Sequence, residues 1–67
     1  MKNSFIVGKE YHHKNDSVLI TDIIKTNDFF EFEVYFTSKT LFDGLINSRG
    51  QYFMINSIFA CSLKLNN

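Results

Sequence analysis

Residues 29–36 read Phe29-Phe30-Glu31-Phe32-Glu33-Val34-Tyr35-Phe36, and the alternation in this stretch decides the fold class. Successive side chains of a strand point to opposite faces, so Phe30, Phe32, Val34 and Phe36 share one face, with Glu31, Glu33 and Tyr35 on the other. That pattern predicts a strand with an apolar face on a core and a polar face toward solvent. Residues 17–24, Ser-Val-Leu-Ile-Thr-Asp-Ile-Ile, are dense in branched side chains and form the expected neighbour, with Thr26-Asn27-Asp28 supplying the turn. Val18 or Leu19, together with Ile20, then faces the phenylalanines. A second hairpin is expected upstream, where residues 10–14 and Ser17 onward flank Asn15-Asp16, residues that tolerate the positive φ of a tight turn. The two hairpins share a strand and make a three-stranded meander.

Past the meander the signals weaken. Residues 39–50 are the least strand-like part of the chain. Thr40 and Asp43 have the spacing of a weak capping box, and Leu41/Leu45 and Phe42/Ile46 are i, i+4 pairs, so a short helical turn is expected there. Gly44 inside it costs about 1 kcal/mol relative to Ala, and Asn47-Ser48-Arg49-Gly50 ends it. From 51 to 65 the odd positions after Gln51, namely Phe53, Ile55, Phe59, Cys61, Leu63 and Leu65, are apolar, with Ser57 the exception. A helix capped by Ser57, with Ile55, Ile58, Phe59, Ser62 and Leu63 on one face, is the competing reading. Weak helix formers dominate, so two short strands with a bulge or corner at Asn56-Ser57 are preferred.

Sixty-seven residues with no linker-like composition allow one domain, residues 1–67. A domain this small buries only roughly 60% of its unfolded surface. Eight Phe and three Tyr supply bulky core material, and the single cysteine, Cys61, has no second thiol to pair with. A lone thiol fits a reducing compartment, and neither a signal-peptide core nor an 18-residue apolar run is present, so a cytoplasmic chain without a membrane partner is expected. Seven basic and seven acidic side chains give a net charge of zero, with the basic ones spaced along the chain. This argues against a charge-driven nucleic-acid or membrane surface and mildly favours association, homo-oligomers included.

No enzyme signature emerges. Glu31 and Glu33 share a strand face, but alternating acids on such a strand are ordinarily its solvated side. His12, His13 and Cys61 are the only soft metal ligands; adjacent strand residues diverge and no ligand spacing completes a tetrahedral site, so no metal and no cofactor is expected. Cys61 reads as a small buried apolar residue.

The order Phe5-x-x-Gly8-x-x-Tyr11, the 17–24 strand, a turn and the 31–36 strand resembles the small barrels of the Src-homology-three kind. The resemblance implies an all-β, five-stranded antiparallel barrel or strongly bent sheet: a three-strand meander, a loop, a fourth strand, a corner and a short fifth strand. It implies no ligand pocket, because the aromatic and acidic motif that reads proline-rich peptides is missing and the chain has no Trp. The Asn, Ile, Lys and Phe bias resembles short proteins of bacteria and their phages.

What remains is a non-catalytic protein-binding module, of the small phage type that inhibits or redirects a host protein. Its expected partner-binding residues are Leu41, Phe42, Leu45 and Ile46, apolar in a loop, and Glu31, Glu33 and Tyr35 on the polar strand face. The loop could equally close the barrel end as part of the core. A nucleic-acid-binding small barrel using Tyr11, Tyr35 and Tyr52 is the alternative, weakened by the acidic neighbours of Tyr35.

Overall fold

The computed structural model describes residues 4–27, 31–39 and 44–65. Strands β1 (Glu10–His13), β2 (Asp16–Lys25) and β3 (Phe32–Ser38) follow one another as antiparallel neighbours, the meander expected from the sequence. Strands β4 (Leu45–Asn47) and β5 (Gly50–Met54) form a further hairpin, followed by the five-residue helix α1 (Ile58–Ser62) and strand β6 (Lys64–Leu65). The result is all-β in class: one open antiparallel sheet of six strands in the order β4-β5-β3-β2-β1-β6, where five strands were expected.

The first turn lies one residue earlier than expected. His13 pairs with Asp16, so Lys14-Asn15 makes the connection and Lys14 takes the left-handed backbone at φ 55°. Asp16 opens β2 instead of turning. At the other end of β2 the Thr26 amide and hydroxyl both donate to the Glu31 carbonyl at 3.2 Å, joining the two flanks of the second hairpin. Strand β3 begins at Phe32, and Asp28, Phe29 and Phe30 lie outside the described residues. β2 carries a bulge at Thr21: Ile20 pairs with Phe36, yet Asp22 pairs with Tyr35, so two steps on β2 match one on β3. The extra residue keeps both Ile20 and Ile23 on the core side and bends a strand of ten residues.

Tyr11, Val18, Ile20, Val34, Phe36, Phe53, Ala60 and Leu63 form the core, with Phe5, Ile23, Ile55 and Phe59 packed against it. Val18 and not Leu19 faces inward; Leu19 is exposed. Phe32 does not reach this core. It pairs with Lys25 at the end of the sheet and is half-buried. The aromatic centre is Phe53, whose ring lies 5.3, 5.7 and 5.4 Å from those of Phe5, Phe36 and Phe59. Phe5, Gly8 and Tyr11 work together: Gly8 turns the chain at φ 90°, Phe5 packs edge-on against Tyr11 at 5.0 Å, and the Tyr11 hydroxyl accepts from the Ile6 amide at 3.0 Å.

Two segments depart from the preferred sequence reading. Residues 58–62 are helical, and Ser57 is the N-cap, its hydroxyl accepting from the Ala60 amide at 3.2 Å. A cap that satisfies an otherwise orphaned amide, with Phe59 and Ala60 anchored inward, outweighs the low helix propensity. Ile58 is 90% exposed, and Cys61 is exposed instead of buried, because this short helix shows those two positions to solvent. In the 39–50 loop, Leu45–Asn47 is a strand where a helical turn was expected. Here the Asn47-Ser48-Arg49-Gly50 turn joins two strands: Asn47 Oδ1 accepts from the Arg49 amide at 2.8 Å, and Gly50 takes a φ of 128°, which favours glycine. Thr40, Leu41, Phe42 and Asp43 lie outside the described residues.

Candidate functional site

Register places Asp22, Tyr35, Tyr52 and Leu45 in one row across four strands, on the sheet face opposite the core. Neighbouring rows put Glu33 beside Met54 and Ile24 on that same face. The period-two alternation of β3 thus holds, but the expectation that Tyr35 is solvated does not: Tyr35 is only 4% exposed. Its ring packs against Tyr52 at 5.3 Å, its hydroxyl donates to Glu33 Oε1 at 2.7 Å, and the Tyr35 hydroxyl oxygen accepts from Asn47 Nδ2 at 2.8 Å. Tyr35 therefore ties the β4–β5 turn to β3. Burial raises the phenol above its ordinary 10.0; the Asn47 hydrogen bond lowers it, the Glu33 hydrogen bond and charge raise it, and Arg49 lowers it.

Glu31 goes elsewhere. Its Oε1 accepts from Asn56 Nδ2 at 2.9 Å, linking the β2–β3 connection to the corner before α1. Of the residues expected to bind a partner, the structure gathers Glu33, Tyr35 and Leu45 and leaves Glu31 apart; Ile46 adjoins the cluster on the opposite side of β4. Leu41 and Phe42 lie outside the described residues.

What the cluster offers to solvent is apolar. Leu45 is 50% and Ile46 71% exposed. Beside Leu45 lies a half-open apolar groove of 230 Å³, walled by Tyr52, Phe53, Met54 and Phe59 and edged by Gly44 and Ser57. On the Ile46 side a wider, more polar depression is lined by Tyr35, Thr37, Arg49 and Gln51. Comparison with protein-family models, curated proteins and solved structures returns no match. The site must accordingly be read from its own chemistry.

Tyr52, Met54, Phe59 and Asn47 belong to this surface; sequence reasoning named Tyr52 only for the nucleic-acid alternative and gave the other three no partner-binding role. The available signal was the turn sequence at 47–50 with apolar residues on both flanks, which sets Leu45 opposite Tyr52. The His13 ring packs edge-on against Phe59 at 5.7 Å, while His12 pairs with Ser17 and Lys64. Among the described residues no three His, Cys, Asp or Glu side chains gather as metal ligands. Among the same residues no helix is long and apolar enough to cross a membrane.

Proposed function

We propose that the protein is a non-catalytic protein-binding module whose partner seats an apolar side chain in the groove between β4, β5 and α1. The observation that carries this reading is Leu45, half exposed at the rim of a groove whose walls are Tyr52, Phe53, Met54 and Phe59. Apolar surface of this kind favours a protein partner, and aromatic and Met walls are typical of interface centres. The strand order β5-β3-β2-β1-β6, with a helical turn before the last strand, also supports a Src-homology-three-like relationship, in which first and last strands are neighbours. In the phage-like setting that the composition resembles, the partner is a host protein that the module inhibits or redirects.

The test is affinity capture by the tagged protein from its native cell, run beside a Leu45→Asp variant with stability measured on both. Leu45→Asp is expected to lose the captured partner and keep its melting transition, because a charge is then buried without a counter-ion at the interface. Unchanged capture by Leu45→Asp would remove the groove from the interface. Binding to single-stranded DNA or RNA at low salt that disappears at high salt would replace the protein partner with a nucleic acid.

A further inference from the structure

Among the described residues β4 is an edge strand, and its register with β5 fixes where its backbone points. Asn47 pairs with Gly50 across the Ser48-Arg49 turn, and the pair that closes such a hairpin exchanges both of its hydrogen bonds. Pairs alternate, so Leu45 with Tyr52 is again a bonded pair, and Ile46, opposite Gln51, turns its N–H and C=O outward. Residues 45–47 carry no Lys, no Pro and no charge, so apart from its shortness nothing in its sequence blunts this edge. The Ile46 side chain above this open edge is 71% exposed.

We propose that a second copy of the chain covers this edge, two β4 strands pairing antiparallel about a two-fold axis at Ile46. The Ile46 N–H of each copy donates to the Ile46 carbonyl of the other, and Leu45 stands opposite Asn47 of the second copy. A short strand centred on one outward-facing residue complements itself in this way, and the two-fold closes the assembly at a dimer. Charge agrees with it. Arg49 is the only charged residue from 44 to 54, the antiparallel arrangement sends the two Arg49 turns to opposite ends of the seam, and a net charge of zero leaves no general repulsion. The two six-stranded sheets become one continuous sheet. This inference rests on the β4 backbone and is independent of which partner protein the groove takes.

The test is the mass of the purified protein in solution, by sedimentation equilibrium from micromolar to millimolar concentration, at low and high salt. The expected result is a rise from the 7.8 kDa chain toward twice that mass, at both salt concentrations. Ile46→Pro deletes an N–H that points away from β5, so it removes inter-chain bonds and leaves the hairpin ladder intact. It is expected to weaken the dimer roughly tenfold or more. Ile46→Lys, which keeps the backbone and places a charge on the edge, is expected to do the same without altering the fold. A wild-type chain that stays at 7.8 kDa at the highest concentration would overturn the proposal. So would a dimer that salt dissociates, or one that survives both substitutions.

Discussion

The meander β1–β3 and the segment from Gly44 to Leu65 reach order by different means. In the meander, β2 pairs with β3 from Val18–Ser38 to Lys25–Phe32, and main-chain bonding extends along nearly the whole of both strands. The later segment divides into elements of three, five, five and two residues, none long enough to be stable alone. Its backbone joins the meander only through three β3–β5 pairs and two β1–β6 pairs, and side chains supply the other anchors: Phe53 and Phe59 against the core, the Ser57 cap, and the Tyr35–Asn47 bond. The lesson is that strand length organises one half and a few anchors organise the other. Single substitutions should therefore act very unequally on the two.

The sharpest way to break this comparison is to exchange an anchor for a ladder residue of the same type. Phe53→Ala is expected to cost about 3 to 5 kcal/mol in urea denaturation, a large share of the stability of so small a domain. Phe32→Ala, half-buried at the sheet end, is expected to cost much less; equal losses would mean that the core extends under Lys25 and Phe32. Ser57→Ala comes next, at about 1 kcal/mol, since it leaves the Ala60 amide without its acceptor. An unchanged urea midpoint for that variant would show that α1 is held by packing alone.

Within the meander the expected effects are smaller and one is a gain. Lys14→Gly removes the left-handed strain of a side-chain-bearing residue and is expected to raise stability by about 0.5 to 1 kcal/mol, read from the melting temperature. A loss would assign Lys14 a contact worth more than the strain. The smallest effect appears only in alkali. The folded Tyr35 phenol titrates above 10.0, so above that pH the unfolded chain releases its proton first and binds fewer protons than the folded one. Stability associated with Tyr35 is therefore full below pH 10 and lost as the pH rises through the folded value. Comparing pH profiles of the parent and Tyr35→Phe isolates this loss, and identical profiles would show that burial does not raise this phenol.

Period-two patterning made the meander legible, because one wrong step would have turned charged residues into the core. It also placed Tyr35 correctly opposite Val34 and Phe36, but it could not show that Tyr52 and Asn47 would cover that face. Those neighbours come from the β4–β5 hairpin, which the i, i+4 spacing of Leu45 and Ile46 with upstream residues disguised as helix. Around Ser57 both periods fit the apolar positions, and a single side-chain cap decided between them. The candidate site was legible in Leu45 and Ile46; its groove was not, since Tyr52, Met54 and Phe59 converge only through tertiary packing.

The bulge at Thr21 bears on how this chain can change length. Removing Thr21 leaves Ile20 opposite Phe36 and brings Asp22 directly after it opposite Tyr35, so every side chain of β2 keeps its face. The position is a neutral site for deletion as far as the inside–outside frame is concerned, and what changes is the curvature of the sheet. The same deletion between Val34 and Phe36, where the ladder has no spare residue, inverts one flank of β3 and carries buried side chains into water.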